Sequence, residues 1–202
     1  MSITPRQFEQ LKARLSGPKP AAQPVFESSL RPRPAGTQII IGIDPSLRGT
    51  GFGVIKMARP HPVALACGVI ACPPGWEHSR CLLKILQTLR EISAQYRPAV
   101  CAIEGLFYAQ NLQTALILGE ARGAALAAMA EAGLDIFEIA PRKVKQAIVG
   151  YGAAHKAAVA KMVQRLLHLA ALPAPDAADA LAIALAHAQD TSRYSLTAPK
   201  RI

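Results

Sequence analysis

Apolar residues in this chain follow two rhythms. The first is a set of short, β-branched runs: Gln38-Ile39-Ile40-Ile41-Gly42-Ile43, then Gly51-Phe52-Gly53-Val54-Ile55, then Ala64–Ala71. The first of these, apolar at nearly every position, is the pattern of a strand covered on both faces. Asp44-Pro45-Ser46 breaks the first run and Pro73-Pro74-Gly75 ends the third. Three strands joined by short turns predict an antiparallel meander. Then the period becomes helical, with Leu82, Leu83, Leu86, Leu89 and Ile92 on one face up to Pro98. Ala99–Ile103 is an apolar strand ending at Glu104. Asn111 to Ala132 is a long helix closed by Gly133, followed by a strand at Leu134–Ile139. Pro141 to Val149, His155–Leu169 and Ala177–Gln189 read as helices. The order β-β-β-α-β-α-β-α-α-α predicts an α/β domain. Its mixed sheet has an antiparallel meander on one side, parallel strands on the other and helices flanking both.

The ends of the chain have a different texture. Residues 1–36 carry Pro5, Pro18, Pro20, Pro24, Pro32 and Pro34, and apart from a short helix at 6–15 they read as an extended linker. The division expected is a basic, Pro-rich extension at 1–36, a folded domain at 37–190 and a basic tail at 191–202. A chain of 202 residues fits one domain with tails. With 51% hydrophobic and 18% charged residues it is not a disordered polymer. No apolar run approaches the ~18 residues of a membrane span, and the N-terminus lacks the apolar stretch of a secretory signal. Cys67, Cys72, Cys81 and Cys101 show no CxxC pair or zinc-ligand spacing. They read as small core residues of a cytoplasmic protein. Trp76, after Pro-Pro-Gly, reads as a loop anchor.

Charge narrows the class of partner. The net charge is +10, of which residues 1–36 carry +4 and residues 191–202 carry +3. Within the domain, residues 139–175 contain no acidic residue but hold Arg142, Lys143, Lys145, Lys156, Lys161 and Arg165. Such a block is either a solvated helix face or a surface that meets a polyanion.

The carboxylates choose between these. Asp44 and Glu104 each stand where an apolar strand stops, the place where side chains reach the crevice of an open α/β sheet. Asp176 and Asp179 open the last helix at i,i+3 spacing, on one face. By itself that helix pair complements the helix dipole. Together, four acids at element ends within a basic background point to a cation site. Oxygen ligands without His or Cys favour Mg²⁺ or Mn²⁺. Two such ions about 3.5–4 Å apart can activate water and stabilise the leaving oxygen in phosphodiester cleavage.

Five segments then carry a family resemblance. Ile41-Gly42-Ile43-Asp44-Pro45, Thr50-Gly51-Phe52-Gly53-Val54, Ala102-Ile103-Glu104, Leu118-Gly119-Glu120-Ala121-Arg122-Gly123 and Asp176-Ala177-Ala178-Asp179-Ala180-Leu181-Ala182 together resemble RuvC-type Holliday-junction resolvases. The likeness runs in order from about residue 38 to 189. It implies a ribonuclease-H-like fold, a homodimer, and Mg²⁺-dependent nicking of two opposed strands of four-way junction DNA, in concert with a branch-migration helicase complex. By position, Asp44, Glu104, Asp176 and Asp179 match the family's metal-binding, catalytic carboxylates. Phe107 matches an aromatic at the junction, and Lys145 and Lys156, beside Arg142 and Lys143, match its DNA-contacting basic residues. The resemblance also places the dimer contact on the helix at 111–132, through Ala121, Gly123, Ala124 and Ala125. Ser46, Gly49 and Gly105 depart from the family pattern.

Two other readings stay open at this level. An actin/hexokinase-like phosphotransferase also begins with an Asp-bearing β-hairpin, but it needs a second Gly-rich hairpin, and this chain has one. A non-catalytic DNA-binding module would account for the basic charge but not for four carboxylates.

Overall fold

A computed structural model of the chain describes residues 38–105, 111–192 and 200–202. The extension expected at 1–36 lies outside the described residues. The described residues form a six-stranded mixed sheet with helices on both faces, as the order of apolar segments predicts. The strands are β1 (Ile39–Asp44), β2 (Gly49–Lys56), β3 (Val63–Ala71), β4 (Val100–Glu104), β5 (Asp135–Ile139) and β6 (Lys200–Arg201). The helices are α1 (His78–Tyr96), α2 (Leu112–Glu131), α3 (Pro141–Val149), α4 (Lys156–Leu166) and α5 (Pro175–Ser192). Across the sheet the order is β3-β2-β1-β4-β5-β6.

β1 lies at the heart of the sheet. It pairs antiparallel with β2 and parallel with β4, and its four middle residues are buried. Strand alternation divides its side chains between two cores. Ile40 joins Val100, Ala102 and Ile139 beneath α3, α4 and α5. Ile41 and Ile43 join Cys101, Ile103 and Ile136 beneath α1 and α2. Asp44 and Glu104 continue the first set, so both belong to the α5 face.

Several expectations change. Leu83 is 53% exposed, because the buried stripe of α1 is Cys81, Ile85, Leu89 and Ile92. A residue two places from Cys81 or Ile85 is turned about 200° away on a helix. Cys67, on the edge strand β3, is exposed, whereas Cys72, Cys81 and Cys101 are buried; all four are free thiols. The segment 191–202 is not simply a tail. α5 runs on to Ser192, and Lys200–Arg201 adds an antiparallel edge strand to β5, with Arg201 paired to Asp135 at 2.6 Å. Among the described residues, no helix is long and apolar enough to cross a membrane.

Candidate active site

The parallel register sets the first two acids side by side. Ile43 of β1 pairs with Ile103 of β4, and the next residue of each strand is Asp44 and Glu104. Their side chains share a hydrogen bond. Asp44 is pushed up to about 8, first by burial, then by the charge of Glu104, their hydrogen bond and the charge of Asp179, with Lys156 opposing. Glu104 is also raised, chiefly by burial, against the pull of its bond to Asp44 and of Lys156 and Lys145. Two half-buried carboxyls in contact are held either by one shared proton or by a cation between them.

α5 brings the other two acids across the sheet, and the absence of side chains beneath it is what allows this. A Cβ on Gly42 would stand 2.0 Å from the Ala180 carbonyl oxygen, and one on Gly51 would stand 2.0 Å from the Asp176 carbonyl oxygen. A Cβ on Gly53 would meet the Leu181 side chain at 2.7 Å. The helix therefore rests directly on the backbones of β1 and β2. Its first turn lies against Gly51, the residue paired with Asp44. The turn leading into β2 is fastened by Thr50, fully buried, whose hydroxyl donates to the Ser46 carbonyl at 2.6 Å and accepts from the Ser46 N–H at 3.2 Å.

Lys156, the first residue of α4, donates to Asp179 Oδ2 at 2.7 Å. That bond is the main cause of its raised pKa, and the charges of Asp44 and Asp176 add to it. Asp44, Glu104, Asp179, Lys156 and Lys145 are thus within electrostatic reach of one another, with Asp176 at the hairpin side. Among the described residues, however, no three acids or other metal-ligating side chains are close enough to hold an ion as they stand. Only Asp44 and Glu104 touch, and Asp179 is turned to Lys156. The donor set still fits a hard divalent cation: carboxylate oxygens only, two of them half-buried and in contact, with no cationic side chain among the described residues bonded to either.

Arg142 and Lys143 are exposed at the start of α3, where the Arg142 side chain lies over Gly152. Lys161 and Arg165 extend the basic face along α4. Phe107 lies outside the described residues.

One site residue is missed by reading the sequence. Arg122 of α2 is 8% exposed; its guanidinium donates to the Glu104 carbonyl oxygen and pairs with Glu138 of β5. It holds the strand end that bears Glu104. The available signal is a lone cation on the buried side of an Ala-rich helix, between Ala121 and Ala125. Because removing one partner strands a buried charge, Arg122→Met is expected to lower unfolding free energy by about 3–5 kcal/mol. Adding Glu138→Gln should recover part of the loss. Urea denaturation checks this, and a loss below about 1 kcal/mol would contradict it.

The family model described as crossover junction endodeoxyribonuclease RuvC matches residues 40–187. The crossover junction endodeoxyribonuclease RuvC of Bordetella parapertussis is 48% identical over 149 residues, 74% of this chain and 82% of the relative. That of Chloroflexus aurantiacus is 44% identical over 149 residues, 73% of this chain and 91% of the relative. Among solved structures, T. thermophilus RuvC in complex with a Holliday junction substrate superposes with a TM-score of 0.75 at 33% identity. The match covers 82% of this chain and 99% of the other.

Proposed function

The chain belongs to the RuvC family of crossover junction endodeoxyribonucleases, and from that premise we propose that Asp44, Glu104, Asp176 and Asp179 are the catalytic carboxylates with which it resolves four-way DNA junctions. It is a structure-selective, divalent-metal-dependent endonuclease of recombination and repair, nicking opposed strands of the junction. The observation that supports the site assignment is the half-buried Asp44–Glu104 pair at adjacent strand ends, with Asp179 close enough to raise both.

The metal proposed is Mg²⁺, with Mn²⁺ as a substitute, held by Asp44 and Glu104 together with the two α5 acids. When bound it supplies activation of water and stabilisation of the leaving oxygen. The protein's own groups do the rest. β1 and β4 fix two carboxylates on rigid strand ends, and α5 fixes two more on its first turns. Lys156 and Lys145 set positive charge beside the acids, where a phosphate must approach. Arg142 and Lys143 continue that charge outward, and Phe107 is proposed to stack on a base at the junction.

Two equivalent cuts on a two-fold junction call for two sites related by a two-fold axis, so a homodimer is proposed. α2 carries exposed Leu112 and Leu116 and the open Gly123. Ala121 and Ala125, by contrast, are buried in the chain's own core and are not available to a partner. A branch-migration helicase complex is proposed as partner on family resemblance.

The direct test is cleavage of a synthetic four-way junction against linear duplex of the same sequences. Paired nicks in the junction alone, present with Mg²⁺ and lost in EDTA, are expected. Equal cutting of duplex would overturn the proposal.

A further inference from the structure

The sole tryptophan of the chain is surrounded by cations. The Arg80 guanidinium lies 3.9 Å from the Trp76 ring centre and the Lys84 ammonium 5.3 Å from it. Lys84 also donates to the Ala71 carbonyl at 2.7 Å. Arg48 reaches the same loop, donating to the Pro73 carbonyl at 2.7 Å and contacting Cys81 Sγ at 3.2 Å. Among the described residues none of these three cations is paired with a carboxylate. A cation stacked on an indole keeps its charge, because the ring offers a quadrupole and not a counter-ion. The cluster also exceeds what anchoring a loop needs, since Arg48 alone already ties Pro73 to the hairpin.

Its position is the second observation. Arg48 is the residue before Gly49, and a Cβ on Gly49 would stand 3.1 Å from Asp176 Oδ2. The Arg48 carbonyl accepts from the Cys72 N–H at 3.0 Å, which fastens the Trp76 loop to the turn leading out of Asp44. The loop and α1 cover the sheet face opposite to α3, α4 and α5. The carboxylates therefore have basic side chains on both sides: the α3–α4 block on one face and the Trp76 cluster on the other.

We propose that Arg48, Arg80 and Lys84, gathered about Trp76, form a second contact surface for the phosphate backbone of DNA, gripping a stretch beyond the cleavage site that the α3–α4 block does not reach. The inference extends the proposed junction chemistry. It concerns the phosphodiester backbone and not base sequence, because Arg and Lys side chains on an exposed surface bind phosphate without reading bases.

The test uses the full chain with junction DNA in EDTA, where no cleavage intervenes. Each phosphate contact contributes about 0.9 to the slope of log K against log salt. Arg80→Gln with Lys84→Gln is expected to flatten that slope by about 1.8, while cleavage at saturating junction in Mg²⁺ is unchanged. Arg48 is left in place because it ties the hairpin. In the unaltered chain, DNA binding should change Trp76 emission saturably, and salt should reverse the change. An unchanged slope and silent Trp76 in a protein that binds junctions would overturn the proposal and leave an acidic protein partner as the cluster's ligand. A flattened slope in a protein that fails to cut junctions would uphold this surface and overturn the proposed reaction.

Discussion

Asp44→Asn is expected to reduce junction cleavage about a thousand-fold or more, a barrier increase of about 4 kcal/mol, without weakening junction binding. In the absence of divalent metal, the same variant should be the more stable protein at neutral pH. Both effects have one origin. Asp44 is half-buried against Glu104, and its carboxyl is pushed up to about 8 from an ordinary 3.8. The folded protein thus binds a proton that the unfolded chain releases near pH 4. Stability is fully present below that pH and is lost as pH rises towards 8, at up to about 1.4 kcal/mol per pH unit. Asparagine presents an amide where the proton sat and removes the second charge, so the part of the decline due to Asp44 disappears and only that of Glu104 remains. Thermal melting in EDTA between pH 5 and pH 8 reads this directly. The unaltered protein should melt lower at the higher pH and recover on addition of Mg²⁺ or Mn²⁺, whereas the variant should show a smaller decline and a smaller recovery. A flat melting profile for the unaltered protein, or a variant that still cuts at a normal rate, would remove Asp44 from the site.

Much of this arrangement is legible in the sequence because its signals are local. β1 and β4 are continuous apolar runs ended by an acid. Strand alternation alone then puts Asp44 and Glu104 on one face, since Ile40, Gly42 and Asp44 share a side, as do Val100, Ala102 and Glu104. The basic block at 142–165 is visible because no acid interrupts it. What escapes has its cause elsewhere in the chain. Lys200–Arg201 carries no apolar pattern and becomes a strand only because the edge of β5 is open to it. Leu83 looks like its neighbours in composition, but the phase of α1 is set by what lies beneath Cys81 and Ile85. Ala121 and Ala125 have the small side chains of a helix–helix contact, yet that contact is internal. The bond from Lys156 to Asp179 spans 23 positions, and the grip of Arg122 on Glu104 spans 18. Neither has a spacing that marks it in advance.

The glycines belong to the same class, and they carry the other large prediction. Gly51→Ala is expected to abolish cleavage and to destabilise the fold by more than about 3 kcal/mol. The new methyl would sit 2.0 Å from the carbonyl oxygen of Asp176, a backbone atom in the first turn of a helix. It cannot rotate away, so α5 must lift from the sheet or β2 must bend. Either movement separates Asp176 and Asp179 from Asp44 and Glu104, and a displacement of 1 Å at reacting groups is enough to lower a rate about a hundred-fold. Gly42→Ala should act in the same way through Ala180 one turn further on, where its Cβ would also stand 2.0 Å from a carbonyl oxygen. Gly49→Ala supplies the contrast. Its Cβ would meet the end of the Asp176 side chain at 3.1 Å, where a carboxylate can turn, and a Val69 methyl at an ordinary 3.6 Å. That variant should fold normally, and whatever cleavage it loses should come from the turned Asp176 carboxylate and not from a lifted α5. Urea unfolding and junction cleavage of the three variants separate the cases. If Gly51→Ala matched Gly49→Ala in both, α5 would not be seated on the bare strand backbone, and the acids it carries would owe their position to something else.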